Sequence, residues 1–210
     1  MVDAIAWLGH DSFRLSGSKT VYIDPWHIAP GAPPADLILV THEHFDHFDK
    51  GDVERLWQPS TVLVGPAEVT RQVEGDTRTV APGDTVTVAG VTVRAVPAYN
   101  LDKFREPGVP FHPKRDGKVG YVIELDGTTY YHSGDTDAID EMAEIDVDVA
   151  MIPVSGTYVM TADEAAGACE KLSARVVVPM HYDTIVGSVA DAQRLASLCR
   201  LPVEILPKSS

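Results

Sequence analysis

Thr41-His42-Glu43-His44-Phe45-Asp46-His47 follows directly on the apolar run Leu37-Ile38-Leu39-Val40. The run reads as a strand aimed into a core, and where it ends the chain releases a dense packet of nitrogen and oxygen donors. His42 and His44 are two apart, so in an extended segment their side chains leave on the same side. Asp46 and His47 come as the chain turns toward a helix and must point elsewhere. That arrangement suits two neighbouring metal positions, one held by His42 and His44 and the other by Asp46 and His47. A polar loop with a chance cluster of histidines is the alternative. Four of the five polar side chains other than Thr41 being good first-row metal donors speaks against it.

The whole composition bounds the rest. A chain of 210 residues with 44% hydrophobic content is long enough for one domain, residues 1–210, with a substantial core. A formal charge of -14 argues against a nucleic-acid partner, because phosphate contacts need clustered Lys and Arg. Cys169 and Cys199, each placed within an expected helix, form no C-x-x-C and read as small buried hydrophobes of a reducing compartment. No apolar run approaches about 18 residues and no basic, apolar leader opens the chain, so a soluble cytoplasmic protein without membrane contact is expected.

Residues 4–8, 12–15 and 20–23 read as three short antiparallel strands between turn signals. After the histidine-rich stretch, 49–57 and 66–73 read as helices around a strand at 61–64. Thr85–Val88 and Val91–Val96 flank Ala89-Gly90 as a hairpin, and Gly120–Leu125 and Thr128–His132 flank Asp126-Gly127 as another. Between them, 100–117 is rich in Pro, Gly and charge, with no period, and reads as a functional loop. From residue 146 the pattern alternates: strand 147–154, a helix from the capping box Thr161-x-x-Glu164 to about Leu172, strand 175–179, helix 188–198 and a last strand 203–206.

The motif H-x-H-x-D-H at 42–47, after its buried strand, resembles the signature of the metallo-β-lactamase superfamily. The likeness extends over the whole chain and is greatest to its small metal-dependent hydrolases, the ascorbate-6-phosphate lactonase-like proteins among them. The resemblance implies an α+β fold, an αββα sandwich of two mixed sheets with helices on the outer faces and the site at one edge. It implies that Asp135, in Ser133-Gly134-Asp135-Thr136-Asp137, bridges two metals, against the alternative of a helix N-cap. It also implies that His181, after the buried strand ending Val178-Pro179-Met180, joins the Asp46/His47 metal. One position departs from the pattern. The strand 91–97 should deliver a third histidine to the first metal, yet it runs into Ala98-Tyr99-Asn100; His112, between Pro110 and Pro113, is the nearest substitute, the alternative being a plain loop residue and an open or weak first site. Asp24 is expected to accept a hydrogen bond from a ligand imidazole and His132 to orient a ligand. His10 either lines the pocket or closes a turn, and His27 reads as a loop residue.

Histidine and carboxylate donors without thiolate suit two Zn(II), with Mn(II) or Fe(II) as alternatives. The implied chemistry is hydrolysis by a metal-activated hydroxide, with Asp46 orienting the nucleophile or carrying its proton. No G-x-S-x-G elbow and no Cys–His pair supports covalent catalysis. A non-catalytic metal-binding protein and a di-iron redox protein of the same fold are the competing readings. Lys103, Arg105, Lys114 and Arg115 share one loop on an otherwise acidic chain. With Lys103 and Arg105 over the pocket, they predict a small anionic substrate such as a phosphorylated lactone or a phosphodiester, against the alternative that they only keep a long exposed loop solvated.

Overall fold

The computed structural model describes residues 2–209. In chain order the strands are β1 (Ile5–Gly9), β2 (Ser12–Ser16), β3 (Thr20–Ile23), β4 (Leu37–Leu39), β5 (Val62–Gly65), β6 (Thr77–Thr79), β7 (Thr85–Val88), β8 (Val91–Pro97), β9 (Phe104–Glu106), β10 (Val109–Pro110), β11 (Val119–Leu125), β12 (Thr128–His132), β13 (Asp146–Pro153) and β14 (Ser173–Met180). The α-helices are α1 (Lys50–Leu56), α2 (Ala67–Thr70), α3 (Ala162–Lys171) and α4 (Val189–Leu198). One sheet has the order β1-β2-β3-β4-β5-β6 and the other β14-β13-β12-β11-β8-β7. Each is mixed: β1 to β3 and β7 to β12 pair antiparallel, whereas β3 to β6 and β12 to β14 run parallel.

The period of two explains why the layers stack as they do. Val21, Ile23, Leu37, Leu39 and Val64 face the cluster shared with the second sheet; Tyr22, Ile38, Val40 and Leu63 point the other way, to Val53, Leu56 and Val69 of α1 and α2. A strand buried on both faces must read as a continuous apolar run, as Leu37-Ile38-Leu39-Val40 does. Helices α3 and α4 pack on β13 and β14 through Ala165, Ala168, Cys169, Ala192 and Leu195. This is the αββα sandwich. The capping box at Thr161 forms with Glu164 as the sequence indicates, and Asp126 and Gly127, with φ of 51° and 73°, make the primed turn between β11 and β12.

Three expectations need correction. Residues 100–117 are no irregular loop: β9 and β10 form a two-stranded antiparallel ribbon, and Lys114–Asp116 a single 3-10 turn. The final stretch 203–206 makes only a single bridge, Val203 to Val177, because Pro202 and Pro207 deny the ladder its donors on either side. Cys199 is not inside α4 but closes it as the C-cap. Among the described residues no helix is long and apolar enough to cross a membrane.

Candidate metal centre

The chain following β3, β4, β12 and β14, and the turn between β1 and β2, meet at one edge of the sandwich. Five of the six histidines gathered there are His42, His44, His47, His112 and His181. Every one of them except His44 directs a ring nitrogen inward because its other nitrogen is already engaged. His47 Nδ1 lies 2.7 Å from Asp24 Oδ2, and His112 Nδ1 lies 2.9 Å from Asn100 Oδ1. Thr41 Oγ1 donates to Asp24 Oδ2 at 2.6 Å, so it accepts from His42 Nδ1 at 3.0 Å. Ser155 Oγ donates to the Thr157 carbonyl and accepts from His181 Nδ1 at 2.8 Å. Each bond turns Nε2 inward, where its lone pair can meet an ion once the ring is neutral.

The inward atoms form two sets. In the first, His44 Nδ1 is 3.0 Å from His42 Nε2 and 3.3 Å from His112 Nε2. Bonds of about 2.0–2.1 Å from nitrogen to a tetrahedral ion give edges of about 3.3 Å, so the set fits a first-row divalent metal. In the second, His47 Nε2 and His181 Nε2 stand 3.3 and 3.6 Å from Asp135 Oδ1, with neither nitrogen hydrogen-bonded. Asp46 groups with the same two imidazoles and with His10. Asp135 turns its other oxygen, Oδ2, to the first set, 3.4 Å from His112 Nε2 and 4.0 Å from His42 Nε2.

The electrostatics of the two sets differ. Burial pushes the His112 imidazole down to about 3, and burial followed by the neighbouring His47 lowers His42 well below its ordinary range. These rings stay neutral, as ligands must. Around the second set burial works the other way from the charges and loses. Asp135 and Asp24 raise His47 well above the usual imidazole range, and His47 and His181 draw the Asp135 carboxyl well below its own. Burial would raise Asp46, but the His10 hydrogen bond at 3.2 Å and the His47 charge hold it at about 2. Backbone strain collects here too. His10, Asp24 and His181 have φ of 54°, 46° and 60°, a conformation costing a non-glycine residue about 1–3 kcal/mol. Before Asp135 only glycine fits, since a Cβ on Gly134 would stand 2.8 Å from the Val119 carbonyl.

A description of the beta-lactamase superfamily domain matches residues 4–181 of this sequence. The chain belongs to the β-lactamase superfamily. It is 37% identical over 188 residues to the UPF0173 metal-dependent hydrolase of Methanoculleus marisnigri, covering 86% of this chain and 81% of that one. It is 35% identical over 229 residues to the protein of that name from Thermococcus onnurineus, covering 96% and 94%. Among solved structures, a candidate metal-dependent hydrolase from Parabacteroides distasonis superposes with a TM-score of 0.85 at 29% identity, over 98% of this chain and 93% of that one.

His42, His44, Asp46, His47, Asp135 and His181 meet at the one edge, and the ring of His112 joins them beside His42 and His44. Asn100, where that strand's continuation stops, holds it: Asn100 Oδ1 accepts from both the backbone and the ring of His112, each at 2.9 Å. Asn100→Ala should therefore weaken metal at the first position about 10–100-fold, read by competition with a chromophoric chelator, and leave the second position nearly unchanged. Asp24 lies within hydrogen-bond distance of the His47 ring. His132 accepts from the Gly134 N–H and bonds the Asp11 carbonyl, so it fixes backbone on both sides of the site. His27 is an exposed loop residue stacked on Trp26.

The basic rim does not form. Lys103 Nζ is held by Asp102 and Glu164, with Asp137 at 3.7 Å, and its side chain is only 15% exposed. Arg105 is exposed on β9 and does not line the cavity over the donors. That cavity, of about 320 Å³, is bounded by His44, Asp46, His112 and Asp135 at its floor and by Phe45, Phe111, Tyr158 and Ile185 around it. Two features escaped the sequence reading: Asp11 beside the site, where only His10 of that turn was weighed as a pocket residue, and the buried Lys118, whose Nζ donates to both oxygens of Glu43 at 2.9 and 3.0 Å. A Gly-His-Asp turn between two short strands was the only local sign of the first.

Proposed function

We propose that this protein is a metal-dependent hydrolase acting on a small ester, lactone or phosphodiester. The observation that carries the reading is Asp135: its two oxygens face two separate donor sets, each completed by imidazoles with free lone pairs. In this reading His42, His44 and His112 hold one divalent ion, Asp46, His47 and His181 the other, and Asp135 bridges them. Two such ions, zinc or else manganese or iron, supply Lewis acidity and lower the pKa of a coordinated water when bound. The chain's own groups do the rest. Asp46, ionised at neutral pH and aimed by His10, suits orienting the attacking water better than storing its proton. His44, Asp46, His112 and Asp135 open onto the cavity, which favours catalysis over a closed structural site.

The cavity also bears on the substrate. Among the described residues no Lys or Arg lines it, and Phe45 is 68% exposed at its rim. An apolar group beside the scissile bond would cover Phe45, Phe111, Tyr158 and Ile185, whereas an anion would have only the ions to meet its charge. The test is a panel of neutral esters and lactones, with and without apolar groups, beside phosphodiesters. Activity should vanish with a chelator, return with Zn(II), Mn(II) or Fe(II), and be highest on neutral substrates with an apolar group. Neutralising Lys103 and Arg105 together should leave KM for the anions within about twofold, as exposed or already paired charges contribute little. Hydrolysis indifferent to chelation would sink the reading; a rise in KM for the anions alone would restore the basic rim.

A further inference from the structure

Asp11, at this edge, has no exposed surface and, among the described residues, no hydrogen-bond partner for either oxygen. A buried carboxylate left this way is costly, so something absent from the side chains alone must face it. Its surroundings say what. Asp11 Oδ2 lies 3.4 Å from His47 Nε2 and 3.8 Å from His181 Nε2. Those spacings match the ones that separate the same two nitrogens from Asp135 Oδ1, and all four side chains offer donors within 4.8 Å of one another. Both imidazoles spend Nδ1 elsewhere, on Asp24 and Ser155, so neither is committed to Asp11 as a donor when its ring is neutral. The main chain holds the carboxylate in place: His132 bonds the Asp11 carbonyl at 2.9 Å, and the His10 carbonyl accepts from the His181 N–H at 3.1 Å.

We infer that Asp11 is a further protein ligand of the second metal position, which makes that position a site of two imidazoles and three carboxylates. This rests on the two-ion reading above. The charges support it: two divalent ions bring four positive charges against two from Asp46 and Asp135, and Asp11 brings the site closer to neutral. The consequence is a preference. Zinc is content with the four donors Asp46, His47, Asp135 and His181, whereas Mn(II) is oxygen-seeking and takes more ligands, so it gains more from Asp11. The two positions would then differ in kind, a neutral three-imidazole site beside an acid-rich one.

The test is calorimetric titration of metal-free protein with Mn(II) and, separately, Zn(II), for the unaltered chain and Asp11→Asn. The variant should keep the first equivalent, lose at least about tenfold in affinity for the second equivalent of Mn(II), and lose less for Zn(II). If the unaltered chain takes up two equivalents and Asp11→Asn matches it for both metals, the inference fails and the two-ion reading stands. If the unaltered chain binds no second equivalent, both fail. Should the variant not fold, a Mn(II)-soaked crystal of the unaltered protein decides. An Asp11 oxygen about 2.0–2.5 Å from the second ion supports the assignment, and one beyond about 3 Å overturns it.

Discussion

Asp135→Ala is expected to lower kcat/KM by about a thousandfold, equivalent to about 4 kcal/mol of transition-state stabilisation, while the circular dichroism of the protein stays the same. Among the described residues no other carboxylate faces both donor sets, so its loss removes the shared carboxylate from each at once. The fold should tolerate the change. Asp135 is ringed by imidazoles rather than apolar side chains, and the turn that carries it is set by Gly134 and by the Ser133 N–H bonded to the Met151 carbonyl. Metal counting should show occupancy falling together with turnover. Unchanged turnover would mean that the two sets work without a bridge.

Asp24→Ala should act on stability and metal together. The carboxylate is fully buried and takes three donors: the Thr41 N–H at 2.7 Å, the Thr41 hydroxyl at 2.6 Å and His47 Nδ1 at 2.7 Å. Removing it strands a backbone and a hydroxyl donor and releases an imidazole from its tautomer. Hydrogen bonds to a charged acceptor contribute about 1.5–3 kcal/mol each, but they are not additive, so a loss of about 4 kcal/mol is the expectation. For a chain of this size that lowers Tm by about 8–16 °C in metal-free protein. Metal affinity at the second position should fall about 10–100-fold as His47 loses its orientation. Asp24→Asn keeps the shape but not the charge and should fall between the two. A variant with unaltered Tm would show that Thr41 and His47 find other partners.

How far the sequence reaches can be judged residue by residue. The strand Leu37-Ile38-Leu39-Val40 was legible because burial on both faces leaves no room for a polar residue. The 42–47 donors were legible because ligand density in so short a stretch has few other causes. His112 was within reach for a different reason: no histidine follows β8, and the next segment carries one between two prolines. Asp11 was not legible. Its neighbours His47 and His181 arrive from elsewhere in the chain, and nothing in Gly9-His10-Asp11 sets the role proposed for it apart from a tight turn. Lys103 failed by the same logic in reverse. Its charge was counted against nearby residues, but Asp137 and Glu164, which help neutralise it, lie well beyond that loop. Pairing across distance is what a linear reading cannot supply.

Each donor set draws on both halves of the sandwich: the histidines after β4 come from one sheet, and Asp135, His181 and the segment carrying His112 from the other. An ion held at this edge is therefore a clasp between the layers as well as a reagent. Any ion that binds the folded chain and not the unfolded one adds RT ln(1 + [L]/Kd), about 4 kcal/mol at a thousand times Kd, and here that increment falls on the seam between the sheets. It also imposes an order on maturation. A growing chain exposes His42 to His47 long before His181 exists, so an ion at the second position would be fully held only after β14 has docked, whereas the first set would be complete once Asp135 has been made.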